Sequence, residues 1–490
     1  MNPSRFVQTH CILFATLYVL VIKMVISSSN KTVADYYAGK SVFITGGTGF
    51  LGKVFIEKLL YSCPDIDKIY MLIREKKNST INQRLKELYD DPLYKTLIDE
   101  RPQDLKKVIP ISGDVTKKGL EISEENEEEL INKVSVVIHA AATTKFNEQL
   151  KVAWRTNVEG TKMVLDLARR MKRVEVFVHI STAYTNTNRE VIEEVLYPPP
   201  ANINDIYPFV QQDHTKEETL KLIEGCPNTY TFTKALTEHI VAENQAYMRT
   251  IIVRPSVVGP IKDGCLKGWL QNWYGGTAVA WFVAQGLNRV VIGHGNNIID
   301  VIPVDYVVNL VVAAAAQNSR LNELKVYNCC TSGCNPIKYK TFAKAFIDDA
   351  KNEKANLLPL PRWYFYTKSI WIMRIIVLLF QLLPALIADM FLLIFCKKPK
   401  FIKLQYRVIP ICRLLDDFTK YSWVIKADRT SELHESLSPT DKNIFPCDPT
   451  AINWTEYLRD YTWGVRHYLL KKERSKRKVC TNTEMSQLKN

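Results

Sequence analysis

From Ser41 onward, short apolar runs alternate with longer stretches whose apolar residues recur at helical spacing. Several of the short runs are apolar at nearly every position, which is typical of parallel strands covered on both faces. The pattern predicts strands at residues 41–44, 68–72, 108–112, 134–139, 174–179, 250–254 and 325–328. Regular alternation of strand and helix predicts an α/β fold with a doubly wound parallel sheet.

The alternation ends near residues 354–361, where a more aromatic, helix-rich region begins. We therefore predict a large α/β domain over residues 37–355 and a smaller helix-rich domain over 356–470. Residues 1–36 are expected to form an N-terminal hydrophobic anchor, and residues 471–490 a basic polar tail.

Two apolar segments indicate contact with a membrane. Residues 11–26 are apolar except for Thr16 and Lys23, so they form either a signal peptide or an uncleaved anchor. Residues 369–396 are apolar with four interruptions, and the basic run 397–400 follows them. That flank favours membrane insertion, or a hairpin that enters one leaflet, over a pair of buried core helices.

The net charge of +14 suits acidic partners such as phosphates, coenzyme A or an anionic membrane surface. No nucleic-acid motif accompanies this charge, so no nucleic-acid partner is expected. The eleven cysteines include no C-x-x-C pair and no histidine at metal-ligand spacing. This pattern predicts reduced thiols and no metal site.

A glycine-rich turn separates the first strand from the helix-like stretch 53–61. Gly46, Gly49 and Gly52 stand at the spacing G-x-x-G-x-x-G, which lets a backbone turn and a helix N-terminus hold a pyrophosphate. The strand–turn–helix context predicts a Rossmann-type dinucleotide site rather than an ordinary turn. We expect cofactor contacts from Thr45, Gly46, Gly49, Phe50, Leu51 and Gly52.

The ends of the next two strands suggest how the nucleotide is selected. Arg74 follows the second strand, 22 residues beyond Gly52, where an acidic side chain would bind the ribose of NAD. An arginine there favours the 2′-phosphate of NADP(H). Asp114, with Val115 beside it, ends the third strand and can meet the adenine amino group, although an aspartate there is also a common turn residue.

Tyr230 and Lys234 are the main catalytic candidates. At positions i and i+4 they share one face of a predicted helix. The lysine cation lowers the cost of forming a phenolate and can hold the nicotinamide ribose, while the phenol donates a proton to a carbonyl oxygen.

The strand at 174–179 adds hydroxyl groups to this predicted site. Ser181 or Thr182 can donate a second hydrogen bond to the same oxygen, and the sequence does not decide which one does. Asn157 either relays protons at the cofactor site or caps a helix. His179 is expected to be a packed strand residue rather than a base.

Together these motifs resemble the extended short-chain dehydrogenase/reductase superfamily and, within it, the eukaryotic fatty acyl-CoA reductases of the insect type. The matching segments are 45–53, 72–74, 113–115, 139–142, 157–161, 181–184, 198–201, 227–234, 254–256 and 302–305, then 383–385, Asp389, 453–454 and 463–470. The resemblance implies that residues 37–355 bind NADPH and that residues 356–470 form the family's C-terminal domain.

The resemblance implies that NADPH reduces a long-chain acyl-CoA to a primary alcohol through an aldehyde. Because acyl-CoA and NADPH are charged and cytosolic, we expect the catalytic domain to face the cytosol, at the membrane of the endoplasmic reticulum or else of the peroxisome. Residues 271–274 depart from the family pattern and bear on chain-length preference, and the insertion 186–228 is expected near the acyl entrance.

Two other functions are compatible with parts of the sequence. A sugar-nucleotide epimerase or hydroxysteroid dehydrogenase shares the scaffold, but Arg74 and the apolar segment 369–396 argue against it. A catalytically silent binding protein would not need Tyr230, Lys234 and the three glycines together.

Overall fold

The computed structural model describes residues 31–75, 79–273, 275–318, 324–352 and 362–470. The expected N-terminal segment 11–26, the basic tail 471–490 and the expected domain boundary at 355/356 lie outside the described residues. So does Tyr274 in the segment that departs from the family pattern.

The predicted parallel sheet is confirmed. In chain order the strands are β1 Ser41–Thr45, β2 Ile69–Ile73, β3 Val108–Ser112, β4 Val134–His139, β5 Val176–Ile180, β6 Val191–Ile192, β7 Arg249–Pro255, β8 Val257–Gly259, β9 Val290–Ile292, β10 Ile298–Ile299, β11 Val301–Pro303, β12 Lys325–Cys329, β13 Ile337–Lys338, β14 Phe365–Thr367 and β15 Val424–Ile425. Seven of them form one parallel sheet in the spatial order β12–β7–β5–β4–β1–β2–β3. The seven predicted runs match these seven strands to within two residues.

Helices cover both faces of the sheet and build most of the C-terminal region. They are α1 Val33–Tyr37, α2 Phe50–Ser62, α3 Ile81–Tyr89, α4 Lys95–Glu100, α5 Glu124–Lys133, α6 Leu150–Ala153, α7 Gly160–Arg170, α8 Ile203–Val210, α9 Lys216–Leu222, α10 Thr229–Glu243, α11 Gly276–Ala284, α12 Val304–Asn318, α13 Tyr339–Asn352, α14 Ile370–Val377, α15 Leu383–Ile394, α16 Phe401–Arg413, α17 Asp416–Lys420, α18 Asp428–Ser436, α19 Pro439–Ile444 and α20 Trp454–Gly464. Three π-helical segments, Trp154–Glu159, Leu378–Leu382 and Val465–Leu469, continue neighbouring helices.

The strand order reverses between β1 and β4. The chain moves from β1 outward to β2 and β3 on one side, and β4, β5 and β7 lie on the other. Ligands of doubly wound sheets bind in the crevice at this reversal, beside the carboxyl ends of the strands. The glycine turn after β1 lies at that point.

The C-terminal region, from residue 362 onward, packs back onto the α/β region that carries the seven-stranded sheet. Strand β14 pairs with β9, and β15 pairs with β6. Helix α20 packs on α13, and the Tyr457 hydroxyl donates a 3.0 Å hydrogen bond to the carbonyl of Pro260. These contacts place residues from both regions around the same interior space.

Helices α14 and α15 and the π segment between them form one apolar stretch, Ile370–Ile394. Among the described residues it is the one helix of sufficient length and apolarity to cross a membrane. Met373, Gln381, Ala385 and Asp389 are buried on one side of it. Most of its other large side chains are exposed, up to 71% for Ile394.

Asp389 fixes the turn that follows this apolar helix. Its carboxylate accepts hydrogen bonds of 2.8–2.9 Å from the backbone N–H groups of Lys400, Phe401 and Ile402. These are donors at the start of α16, which would otherwise lack intrahelical partners. The aspartate that interrupts the apolar segment in sequence therefore holds a helical hairpin.

Candidate active site

The glycine turn has the shape of a dinucleotide cradle. Gly46 has φ +76°, and a Cβ there would lie 2.8 Å from the backbone nitrogen of Ala141. A Cβ on Gly52 would lie 2.5 Å from the Cα of Gly47, so only glycine lets α2 pack this closely. Gly49 caps α2 without a side-chain hydrogen bond, which leaves donors in its first turn, at Phe50 and Leu51, for a phosphate. These residues fit a dinucleotide cofactor.

A buried hydrogen-bond chain joins the ends of β1 and β4 beside this cradle. Thr45 Oγ1 lies 2.7 Å from His139 Nδ1, and His139 Nε2 lies 2.8 Å from Thr161 Oγ1. Because the Thr161 hydroxyl donates to the Asn157 carbonyl at 2.6 Å, it accepts from His139 Nε2–H. Burial lowers the pKa of His139 to about 3, so the ring is neutral and structural at neutral pH.

Two arginines border the cradle, and the sequence analysis identified only one of them. Arg74 is largely exposed, and its Nη1 lies 3.8 Å from Asp114 Oδ2. Arg84, on α3, donates a 2.9 Å hydrogen bond to the Thr48 hydroxyl inside the glycine turn and another to the Arg74 carbonyl. Burial and, secondarily, the charge of Arg74 lower the pKa of Arg84. Two neighbouring cations beside a phosphate cradle favour an anion.

Asp114 organises the turn after β3 by accepting hydrogen bonds from Thr116. The backbone N–H and hydroxyl of Thr116 both donate to Asp114 Oδ1 at 2.9 Å. Asp114 is therefore a turn residue whose second carboxylate oxygen faces Arg74. Val115 lies against Gly160, where an added Cβ would be 2.8 Å from the Val115 carbonyl oxygen.

Helix α10 presents Tyr230, Lys234 and Glu238 at successive four-residue steps, so they share one face. Lys234 is 1% exposed and donates a 2.7 Å hydrogen bond to the carbonyl of Ile180, at the end of β5. Desolvation lowers the pKa of Lys234 to about 7, although the Glu238 carboxylate opposes this shift. Burial raises the pKa of Tyr230 to about 12, although a hydrogen bond with Thr182 acts in the opposite direction and lowers this pKa.

Ser181 and Thr182, which the sequence did not distinguish, have different partners in the structure. The Ser181 hydroxyl donates to Glu238 Oε1 at 2.6 Å. Thr182 is the residue whose hydroxyl pairs with the Tyr230 phenol. The structure therefore brings Thr182, not Ser181, to Tyr230.

Asn157 lies in the π-helical segment between α6 and α7 and is fully buried. Its amide oxygen accepts from the Thr143 N–H at 2.9 Å, and its amide nitrogen donates to Thr233 Oγ1 at 3.0 Å. These contacts tie the loop after β4 to α10. Asn157 lies inside the π-helical segment and does not cap a helix, and its contacts position α10. Its role as a proton relay stays a prediction. His179 is fully buried, as expected of a packed strand residue.

A buried ion pair supports the catalytic helix from behind. Arg254, on β7, donates from Nε to Glu238 Oε1 at 2.8 Å and from Nη2 to Oε2 at 2.7 Å. Its Nη1 and Nη2 also donate to the carbonyl groups of Glu193 and Val195. Sequence reasoning missed Glu238, although its i+4 spacing from Lys234 is a signal that could have identified it.

An apolar cavity begins beside Tyr230. The Phe146 ring stacks on Tyr230 at 6.1 Å and on Phe418 at 5.1 Å, and Phe146, Tyr184 and Phe418 all line the cavity. Its remaining walls come mainly from α11, β9, α13 and β14. None of its lining residues belongs to the insertion 186–228, which the sequence analysis placed at the acyl entrance.

Comparison with known proteins decides the family. Two family models described as "Male sterility protein" match residues 44–311 and 380–472. The chain is 37% identical to fatty acyl-CoA reductase 1 of Xenopus laevis over 458 residues, which covers 91% of this chain and 87% of the relative. The human fatty acyl-CoA reductase 1 is 35% identical with the same coverage. The chain belongs to the fatty acyl-CoA reductase family.

Solved structures support the fold of this fatty acyl-CoA reductase family member. The terminal R domain of the myxalamid pathway matches with a TM-score of 0.59 at 16% identity, covering 88% of this chain and 92% of that chain. A reductase domain of a nonribosomal peptide synthetase from Mycobacterium tuberculosis matches with a TM-score of 0.58 at 17% identity, with 89% and 92% coverage. The cradle and the family together show a site for a nicotinamide cofactor.

We predict that Glu238→Ala destabilises the protein strongly. The substitution leaves the Arg254 guanidinium buried without its counter-charge, which costs about 3–5 kcal/mol. Urea unfolding followed by circular dichroism measures the loss. Glu243→Ala, on the exposed end of the same helix, is the matched control and should change stability by less than about 0.5 kcal/mol. Equal unfolding midpoints for the two variants would contradict the supporting role of this ion pair.

Proposed function

We propose that the protein is an NADPH-dependent reductase that converts a long-chain acyl-CoA to a primary alcohol and releases coenzyme A. The observation that carries this proposal is the junction of Tyr230 with the apolar cavity through the Phe146 ring. A proton donor at the mouth of an apolar cavity suits a carbonyl attached to a long alkyl chain. Membership in the fatty acyl-CoA reductase family supports the same substrate.

The residues of the chain divide the chemistry between them. When bound, NADPH supplies the hydride for each reduction. Tyr230 donates its phenolic proton to the carbonyl oxygen of the thioester, and the Thr182 hydroxyl stabilises the oxygen charge that develops there. The resulting hemithioacetal then breaks its C–S bond, and the thiolate of coenzyme A leaves. The hydroxyl proton of the hemithioacetal returns to Tyr230. The product of this half-reaction is an aldehyde.

The aldehyde is reduced at the same site, where Tyr230 donates a proton to the alkoxide oxygen. The full reaction consumes two NADPH and two protons for each alcohol. Because burial raises the pKa of Tyr230 to about 12, the phenol stays protonated at neutral pH. The Lys234 ammonium stabilises the phenolate formed on proton transfer, and Lys234 also lies where it can hold the nicotinamide ribose. Its position is fixed by the Ile180 carbonyl.

The cavity also argues against the sugar-nucleotide alternative. Its walls are predominantly aromatic and aliphatic side chains such as Val257, Ile299 and Phe342. A hexose needs many hydrogen-bond partners, and these walls supply few. A long alkyl chain needs none.

Substitution of Tyr230 tests its role as the proton donor. Tyr230→Phe removes the proton donor in both half-reactions, and the loss of a positioned general acid typically lowers the rate about 10²–10⁴-fold. Gas chromatography of the products from palmitoyl-CoA, with NADPH oxidation recorded in parallel, measures the effect. The unmodified protein should oxidise two NADPH for each alcohol.

Tyr247→Phe, at an exposed tyrosine, is the matched control. Wild-type alcohol formation by Tyr230→Phe would exclude this tyrosine from the mechanism, and aldehyde as the sole wild-type product would limit the enzyme to one reduction.

The two arginines beside the cradle support the choice of NADPH over NADH. A 2′-phosphate bound between them would relieve the repulsion that Arg84 experiences from Arg74. The Thr48 hydroxyl and the Arg74 carbonyl hold Arg84 in place, whereas the largely exposed Arg74 side chain is free to close on the phosphate. Asp114 Oδ2 then lies beside Arg74, in position to accept from the adenine amino group.

We therefore predict that Arg74→Ala and Arg84→Ala each weaken the preference for NADPH. One charge-assisted contact contributes roughly 1.5–3 kcal/mol, so each ratio of kcat/KM for NADPH over NADH should fall about ten- to a hundredfold. Steady-state kinetics with both nucleotides gives this ratio. Arg173→Ala, at an exposed arginine far from the cradle, should keep the wild-type ratio. Equal use of NADH and NADPH by the unmodified protein would refute the assignment.

We propose further that the helical hairpin 370–413 binds one leaflet of a membrane rather than crossing it. Met373 packs against Val290 and Ile292 of β9, and Asp389 is buried against the start of α16. The first part of this helix packs on β9 and β14, and its second part packs on α16, so lipid cannot surround it on every side. Its opposite side exposes large apolar residues, and Lys397, Lys398, Lys400 and Lys403 follow as exposed cations. Apolar area beside basic residues is the signature of an interfacial helix.

Because the substrate and NADPH are charged, we propose that the catalytic region lies on the cytosolic side of this membrane. The endoplasmic reticulum is our first proposal for the membrane, and the peroxisome is our second.

A chain beginning at Lys31 should float with vesicles that contain anionic lipid. Lys397→Glu/Lys398→Glu/Lys400→Glu should reduce flotation because each basic residue near the surface contributes about 1 kcal/mol. Lys117→Glu/Lys118→Glu/Lys133→Glu, at exposed lysines elsewhere, is the control. Absence of flotation, or equal loss in both triple variants, would contradict the proposed surface.

A further inference from the structure

A second chamber lies next to the acyl cavity, and three residues line both. These are Val279 on α11, Val291 on β9 and Thr419 on α17. We call these three residues the partition. The cavity on one side begins at Phe146 beside Tyr230, and the second chamber reaches Met373 and Gln381 of the apolar helix.

Strand β9 shows how the partition is built. Because side chains alternate along a strand, Val291 points away from its neighbours Val290 and Ile292. Val290 and Ile292 pack with Met373 of α14, while Val291 lies beside Tyr366 of β14 on the wall of the acyl cavity. One strand thus carries the acyl wall on one side and the apolar helix on the other.

The two spaces differ in chemistry. The acyl cavity is lined almost entirely by apolar and aromatic groups. The second chamber is lined by Asn288, Gln381, Arg413 and Asp416 as well as by aliphatic residues. Gln381 is 3% exposed, and both polar atoms of its amide lack a hydrogen-bond partner among the described residues. The amide nitrogen of Asn288 also lacks one. Unpaired buried amides make this chamber unfavourable for a terminal methyl group.

We propose that the partition sets the maximum acyl length and that Gln381 enforces this limit from behind it. An acyl chain whose thioester lies at Tyr230 fills the apolar cavity until its methyl end meets Val279, Val291 and Thr419. Ala280 and Phe342, elsewhere in the wall, are buried in the core. A longer chain must displace the partition and enter a chamber whose amides it cannot satisfy. This inference rests on the proposed reduction of acyl-CoA and deepens it by assigning the residues that select the substrate.

The test compares kcat/KM, with NADPH, over a series of saturated acyl-CoA esters of increasing length. Val291→Ala opens the partition, so the optimum should move to longer chains. Each methylene newly accommodated should raise the relative kcat/KM about tenfold. Val290→Ala, the neighbouring valine on the opposite side of β9, is the matched control and should keep the wild-type optimum. Val279→Ala opens the same partition from α11 and replaces Val291→Ala if that variant fails to fold.

Gln381→Leu separates the two parts of the proposal. Alone it should leave the optimum unchanged, because the partition still stops the chain. Combined with Val291→Ala it should extend the optimum beyond that of Val291→Ala, because the chamber has become apolar. Displacement of a fluorescent fatty acid by fatty alcohols of increasing length should report the same limits without turnover.

An unchanged length profile for Val291→Ala and Val279→Ala would overturn the partition. A shift caused by Gln381→Leu alone would also overturn it, since the chain would already reach the second chamber. If the unmodified protein reduces no acyl-CoA of any length, the proposed function fails instead. The displacement measurements then still decide whether the partition limits an apolar chain.

Discussion

The buried contact between Glu238 and Arg254 is the constraint on which the rest of the site depends. Glu238 accepts two hydrogen bonds from Arg254 and one from Ser181, so it joins α10 to the ends of β7 and β5. A helix held at both of these strand ends cannot rotate. The face that carries Tyr230 and Lys234 is therefore fixed toward the crevice, and Arg254 continues the network to the backbone at Glu193 and Val195.

The same contact has an electrostatic consequence for Lys234. A lone buried carboxylate four residues away would strongly favour the lysine cation. Here the carboxylate is already paired with Arg254, so desolvation outweighs its attraction and the pKa of Lys234 falls to about 7. The lysine then gains or loses its proton near neutral pH. A group poised in this way can support phenolate formation at Tyr230 without holding the tyrosine permanently ionised.

The sequence predicted the sheet because its parallel strands are covered on both faces and therefore read as continuous apolar runs. It predicted the cradle because the close approaches at Gly46 and Gly52 exclude any other residue. The shared helix face of Tyr230 and Lys234 followed from their four-residue spacing. These features are local, and each leaves a pattern in a short stretch of chain.

The features that the sequence missed depend on contacts between distant segments. Whether Ser181 or Thr182 meets Tyr230 depends on which way two adjacent side chains point, and Glu238 decides this by accepting from Ser181. Arg84 reaches the cradle only because α3 folds back onto the glycine turn. The acyl cavity is built from α11, β9, α13, β14 and α17, which are separated by long stretches of chain. No local pattern marks such a site. The place of the insertion 186–228 at the acyl entrance stays a prediction.

The C-terminal region contributes directly to the wall of the apolar cavity. Strand β14 and helix α17 come from that region, yet Tyr366 and Phe418 lie in the wall that begins at Tyr230. The apolar helix packs behind the same wall through Met373. A displacement of the hairpin by lipid would therefore move residues that border the acyl cavity, because β9 connects the two surfaces. On the proposed function, membrane binding and substrate binding would share one structural element, β9. The residues before the C-terminal region would then lack part of the wall of this cavity.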